Sequence, residues 1–229
     1  MKQINKTLAV LALFSIAMGF LESAVVIYLR KIYYPGGFSF PLAPIERNIV
    51  IIELLRELAT IIMLWSIGYL TGKSSAQRFS HFIFCFGVWD LFYYVFLKVF
   101  LNWPESFFTP DILFLIPVPW VGPVLAPCLV SLNLIVIAWI LHPKSEHFRI
   151  KAKEKLLMTG GCLVIIFSFT VNFKNFIYMV DDSGKVSGHQ NFIQPGYNWW
   201  IFLIGEVLLL MSMYILKLSE SRKIKVETL

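Results

Sequence analysis

Charge and long polar stretches are what this chain has least of. Only 15% of its 229 residues are charged against 58% hydrophobic, and mean hydropathy is +0.72. Soluble domains average about 25% charged residues, so a water-facing surface over the whole chain is excluded and a polytopic membrane protein is expected. The longest polar connections, 30–47, 142–155 and 181–197, leave no room for a soluble domain. Gly-rich phosphate loops are also missing, which removes a nucleotide-binding module.

Cysteine and histidine are nearly as scarce. Cys85, Cys128 and Cys162 fall inside apolar runs, form no Cys-x-x-Cys pair, and read as small packing residues. Of the four histidines, His81, His142, His147 and His189, only His81 with His142 could flank a haem. A carboxylate-bridged di-metal site normally brings Glu-x-x-His pairs, and none occurs. A carboxylate-only site for a hard cation has no supporting spacing. No cofactor and no metal are expected.

Long hydrophobic runs are abundant. Six of them, near 7–29, 48–70, 80–101, 121–141, 156–180 and 198–218, reach the roughly 20 residues that a 30 Å hydrocarbon core requires. The reading is an all-α integral membrane bundle, one transmembrane domain over 1–229, with six helices in three hairpins. The first run has a basic start like a signal peptide, but it is long and contains Glu22, so a retained helix is expected.

Lysine and arginine orient the bundle. With a cytoplasmic N-terminus, thirteen of them fall inside (Lys2, Lys6, Lys73, Arg78, Lys144, Arg149, Lys151, Lys153, Lys155, Lys217, Arg222, Lys223, Lys225). Four fall outside: Arg30, Lys31, Arg47 and Lys185. Both termini are therefore expected in the cytoplasm. The net charge of +6 is a topology signal plus attraction to anionic lipid, with no basic block to bind nucleic acid.

Within the runs, GFLESAVVIYLR at 19–30 aligns without gaps on GVWDLFYYVFLK at 87–98, and each copy leads into two prolines six apart, Pro35 and Pro41, then Pro104 and Pro110. Each copy places an acid, Glu22 or Asp90, eight residues before a base, Arg30 or Lys98. Eight residues span about 12 Å of helix, so the acid is expected in the membrane and the base at the outer interface, its stem snorkelling. On the third helix Asp90, Tyr94 and Lys98 share one stripe. The fifth helix keeps a fainter copy with Asn172 in the acid's place.

The second helix adds Glu53, Arg56 and Glu57 on one face, and the sixth adds Glu206. Five intramembrane carboxylates thus stand against three bases, Arg56, Lys98 and Lys174. Carboxylates left over must be protonated or meet a cation. Because most of these groups lie in the outer halves of their helices, a polar cavity opening outward is expected. The same charges also fit a network that only fixes helix packing.

Before the fourth helix, Pro117, Pro119, Pro123 and Pro127 break an apolar stretch. They cannot all sit in one regular helix, so a broken or re-entrant segment is expected, with Trp103, Pro117, Pro119 and Trp120 as cavity wall or lid. An interfacial loop anchored by Trp103 and Trp120 fits the same residues.

The run 87–127, with WDLFYY, WPES and PVPWVGP, resembles a set of uncharacterised bacterial integral membrane proteins, and 19–30 with the following Tyr-Tyr-Pro fits it too. The resemblance implies a bacterial inner-membrane location and no particular activity. Three functions remain open. The cavity could bind or transport a small solute or cation with proton coupling. It could house an enzyme acting on a lipid or isoprenoid-like substrate. Or the polar stripes could pack against a membrane-protein partner.

Overall fold

The computed structural model describes residues 2–38, 45–142, 150–177 and 196–227. Six helices follow one another: α1 (Lys2–Tyr33), α2 (Arg47–Thr71), α3 (Ser75–Leu101), α4 (Leu125–Leu141), α5 (Ala152–Ile177) and α6 (Trp199–Glu227). Two strands, β1 (Pro110–Phe114) and β2 (Trp120–Pro123), lie between α3 and α4. Four helical stretches, Lys6–Tyr33, Ser75–Leu101, Ala152–Val171 and Trp199–Lys217, are long and apolar enough to cross a membrane.

Helix ends follow local chemistry. Ser74 caps α3, its hydroxyl accepting from the Gln77 amide at 3.2 Å, which starts that helix five residues before the expected position 80. Asn102 ends it in the left-handed conformation at φ 53°, and Pro104 follows, unable to continue a helix.

The central element is α3. It packs against α1, α2 and α4, while α5 and α6 pair with each other and lean on α4 and β2. The repeated glycine has a repeated use here. A Cβ on Gly19 would lie 2.9 Å from the Trp89 carbonyl of α3, and one on Gly87 would lie 2.7 Å from the Ser131 carbonyl of α4. Both copies mark the point where a neighbouring backbone comes close.

The segment before α4 departs from expectation. It is a two-stranded antiparallel hairpin, so the protein is not purely helical, and α4 begins at Leu125 rather than 121. Pro110 pairs with Pro123, Asp111 with Gly122 and Ile112 with Val121, with a register irregularity before Phe114–Trp120. Prolines fit because the first pair of the ladder is made of two residues that donate nothing. Two further bonds tie the hairpin down: the Val124 amide donates to the Thr109 carbonyl at 3.0 Å and the Leu125 amide to the Phe107 carbonyl at 2.8 Å.

Candidate functional site

A cavity of about 410 Å³ lies between α1, α2, α3 and the hairpin; among the described residues none from α4, α5 or α6 lines it. Its charged lining is Glu22 and Arg30 from α1, Glu53, Arg56 and Glu57 from α2, Asp90 from α3 and Asp111 from β1. Tyr33, Tyr34, Phe38, Trp89, Tyr93 and Phe114 supply aromatic surface, and Val26, Leu29, Ile45, Val50, Ile112 and Leu113 supply aliphatic surface.

Helical phase explains the α2 side. Glu53, Glu57, Thr60, Leu64 and Gly68 form its buried face at spacings of three and four. Arg56, beside that face, donates from Nη2 and Nε to Glu53 Oε2 at 2.7 and 3.0 Å, and from Nη1 to Glu22 Oε1. One guanidinium thus joins α1 to α2 through two carboxylates, using the fixed fork of its donors. The Thr60 hydroxyl lies 3.1 Å from the Arg56 carbonyl and 3.4 Å from Glu22 Oε2. Glu57 turns the other way, and both its oxygens accept from the Leu115 amide at the hairpin turn, at 3.0 and 2.9 Å.

A second charged group closes the hairpin end. Arg30 Nη2 donates to Asp111 Oδ1 at 2.9 Å, and the Tyr94 hydroxyl donates to Asp111 Oδ2 at 3.3 Å. The Arg30 guanidinium carbon sits 4.3 Å from the Phe38 ring centre and 3.7 Å from that of Trp103. Burial pushes the Asp111 carboxyl up to about 6, against the pull of the Arg30 guanidinium. Asp90 accepts from the Ser131 hydroxyl of α4 at 2.8 Å.

Of the residues singled out from sequence, Glu22, Glu53, Arg56, Glu57 and Asp90 line this one cavity. Tyr94 stands behind it, holding Asp111, while its neighbour Tyr93 faces in. Lys98 is a correction: exposed at the end of α3, it donates to the Pro104 and Asn102 carbonyls at 2.9 and 3.4 Å and does not line the cavity. Glu206 is another, since it lies on α6 and accepts from the Asn133 side chain of α4. Asn172 belongs to α5 by its backbone, and its side chain lies outside the described residues, as do those of Lys174 and Asn175. Among the expected lid residues Pro119 lines the cavity. Trp103 backs Arg30, and Trp120 stands one layer behind the lining, its ring 5.5 Å from that of Phe114 and stacked on Phe169 at 6.2 Å. Pro117 is not among the lining residues.

Sequence reasoning missed Arg30, Asp111, Trp89 and Tyr93 as site members. Arg30 was expected to snorkel at the interface, yet it is 7% exposed. The repeat aligned it with Lys98, but only Arg30 has an acid brought to it by the hairpin.

At the opposite end of the bundle, His81 Nε2 and His142 Nδ1 are 2.8 Å apart, and Thr71 Oγ1 is 2.9 Å from His81 Nδ1. The Thr71 hydroxyl donates to the Ile67 carbonyl at 2.7 Å, so His81 Nδ1 donates to Thr71 and His81 Nε2 accepts from His142. Two ring nitrogens in a direct hydrogen bond are too close to flank an iron. Burial pushes the His142 imidazole below its usual range. Among the described residues no group of three or more His, Cys, Asp or Glu could hold a metal ion. No family model, curated protein or solved structure matches the chain.

Proposed function

We propose that this chain is a six-span protein of the bacterial inner membrane, with both termini cytoplasmic, whose cavity opens outward and binds or transports a small solute or cation with proton coupling. The observation that carries the reading is charge. Five carboxylates, Glu22, Glu53, Glu57, Asp90 and Asp111, line the cavity, and among the described residues only Arg30 and Arg56 balance them there. An excess of three negative charges in a poorly hydrated space draws in protons or a cationic group.

Two features support a membrane setting for every helix. Large apolar side chains face outward on all six, among them Leu13, Leu55, Val99, Trp139, Leu163 and Leu210, far more than a soluble monomer shows. Helix α2 turns its charges inward and exposes Ile52, Leu58, Ile62 and Leu70. Helix α4 has 17 residues, or about 26 Å, only slightly short of a hydrocarbon core of roughly 30 Å. Cysteine-labelling of single-cysteine variants in intact cells tests the orientation: a cysteine at Ser106 is expected to label from outside and one at Ser75 only after lysis.

The functional test uses purified protein in liposomes loaded with a pH-sensitive dye and challenged with a panel of small amines, amino acids and monovalent cations. Compound-dependent proton entry that is lost in folded Glu22→Gln and Asp90→Asn variants supports the reading. Folded wild-type protein that moves no protons with any compound overturns proton-coupled transport.

The apolar walls favour one second reading, an enzyme acting on a lipid or isoprenoid-like substrate, with Asp90 or Glu57 as general acid or base. Turnover of a bacterial lipid extract by the wild type, absent in Asp90→Asn, is its signature.

A further inference from the structure

We infer that Thr71, His81 and His142 form a proton-operated clasp at the end of the bundle opposite the cavity. It is closed while the two rings are neutral or hold one added proton between them, and it releases when each ring carries its own. The clasp does not depend on what the cavity takes: His81 lies eight residues before Trp89 on α3, about 12 Å along the helix.

The hydrogen-bond directions follow from one hydroxyl. Thr71, at the end of α2, has a single hydroxyl hydrogen and donates it to the Ile67 carbonyl at 2.7 Å, so its oxygen accepts from His81 Nδ1 at 2.9 Å. A neutral His81 then has a bare Nε2, which accepts from His142 Nδ1 at 2.8 Å. Three of the four ring nitrogens are thereby engaged. The fourth, His142 Nε2, is a bare acceptor that meets no donor among the described residues. Both rings are buried, His81 at 2% and His142 at 7% exposed. The chain of bonds joins three helices: the end of α2, α3 and the C-cap of α4.

A first proton breaks no bond only if it goes to His142 Nε2. There it turns the link between the rings into a charge-assisted one, and it places the charge at the C-terminus of α4, where the helix dipole favours a cation. A second proton must go to His81 Nε2, which then points an N–H at the N–H of His142. Two donors and two like charges face each other at hydrogen-bond distance, and the rings part. Burial opposes both steps and pushes the His142 imidazole below its usual 6.5, so the closed form is complete above that pH and is lost as pH falls through the lower folded value.

No other charge among the described residues reaches the pair. Lys6 of α1, Lys73 after α2 and Lys217 of α6 are exposed. Arg78 of α3 lies over the Tyr69 ring at 4.0 Å, its Nε donating to the Gly72 carbonyl at 3.2 Å. The Glu154 carboxylate of α5 accepts from the Lys151 amide at 2.7 Å. The one titratable group that acts on His81 is His142. Flanking bonds run from the Gln77 side chain to the His142 carbonyl at 3.3 Å and from the Ser80 hydroxyl to the Ala138 carbonyl at 2.7 Å, between groups that do not titrate. Release therefore opens the layer around the rings. Cys85, fully buried and one turn beyond His81 on the same face of α3, is what it uncovers.

Two measurements on the full chain in lipid nanodiscs test the clasp. With His147 and His189 replaced by glutamine, the pair holds the only histidine ring nitrogens left for nitrogen NMR. A scalar coupling across the bond between His81 Nε2 and His142 Nδ1 is expected at neutral pH, to survive uptake of the first proton at His142 Nε2 and to vanish with the second. No coupling at neutral pH, a first proton on His81, or coupling lost with the first proton overturns the clasp. The second measurement is maleimide labelling of Cys85, located by mass spectrometry and compared with His142→Asn at each pH, which cancels the pH dependence of the thiol itself. The asparagine amide can donate to His81 Nε2 or, flipped, accept from it, so that variant stays clasped in acid. The ratio of wild type to variant is expected to be near unity at pH about 7.5 and to reach about tenfold or more at pH about 4.5. A ratio that stays flat overturns the release.

Discussion

Arg30 and Asp111 stand 81 residues apart in sequence and 2.9 Å apart in space, and their ion pair ties the end of α1 to the hairpin. Both are almost fully buried, at 7% and 1% exposed. Breaking a buried pair from one side strands a charge, which costs about 3–5 kcal/mol, whereas replacing both partners with apolar groups is often close to neutral. Asp111→Ala is therefore expected to lower the unfolding temperature sharply, and the double variant Arg30→Met with Asp111→Leu to regain most of the loss. Thermal unfolding in one detergent at one pH checks it; a double variant no better than Asp111→Ala contradicts the pairing as the cause.

The same carboxyl sets a pH window. Burial holds the folded Asp111 at about 6 against an ordinary 3.8, so the folded protein binds that proton more tightly than the unfolded chain does. The stability contributed by the neutral form is complete below pH about 4 and lost as pH rises through about 6. Asp111→Asn mimics the neutral form at every pH. Between pH 4 and 6 the wild type is expected to lose stability relative to Asp111→Asn, with a parallel course above and below. Melting curves of the two proteins across that range give the difference directly, and a difference that does not change from pH 4 to 6 contradicts it.

How far all this was legible beforehand differs by element. Six helices could be read because each is a long apolar run, and Glu22, Glu53, Arg56, Glu57 and Asp90 could be gathered because helical spacing puts them on inward faces. The hairpin could not. Four- and five-residue strands leave too little pattern, and Pro117, Pro119, Pro123 and Pro127 pointed to a broken helix, when Pro123 opposes Pro110 at the first pair of a ladder and Pro127 lies in the first turn of α4. Asp111 was invisible for the same reason, since its role depends wholly on where the hairpin brings it. Lys98 misled because a repeat preserves position better than chemistry: its copy of the loop offers carbonyls where Arg30 meets a carboxylate.

Helices α5 and α6 meet backbone to backbone. A Cβ on Gly205 would lie 2.9 Å from the Gly161 carbonyl and 2.6 Å from an Ile165 side-chain carbon, whereas nothing lies within 4 Å of one on Gly160. Close approach of this kind is how helices associate without a hydrophobic driving force. Gly205→Val is expected to destabilise by about 1–3 kcal/mol through overpacking. Gly160→Ala on the same helix pair is expected to be neutral or to stabilise by up to about 1 kcal/mol through helix propensity. Unfolding of both variants side by side checks the contrast, and equal effects would refute close packing as its basis.

Glu57 links the cavity wall to the hairpin through a single backbone donor, the Leu115 amide, which donates to both carboxylate oxygens. A glutamine in its place keeps one acceptor oxygen in reach, while an alanine removes the acceptor and leaves a part-buried N–H unmet, at about 1–3 kcal/mol. Because Leu115 lies in the turn between β1 and β2 and itself lines the cavity, the loss falls on local opening of the hairpin more than on the helices. Hydrogen exchange resolves the two. In Glu57→Ala the Leu115 amide is expected to exchange about tenfold faster or more, with amides in the middle of α3 unchanged, and Glu57→Gln is expected to fall near the wild type. If Leu115 exchanges at the wild-type rate in Glu57→Ala, the carboxylate does not hold the hairpin, and Glu57 is left as an unpaired acid facing the cavity.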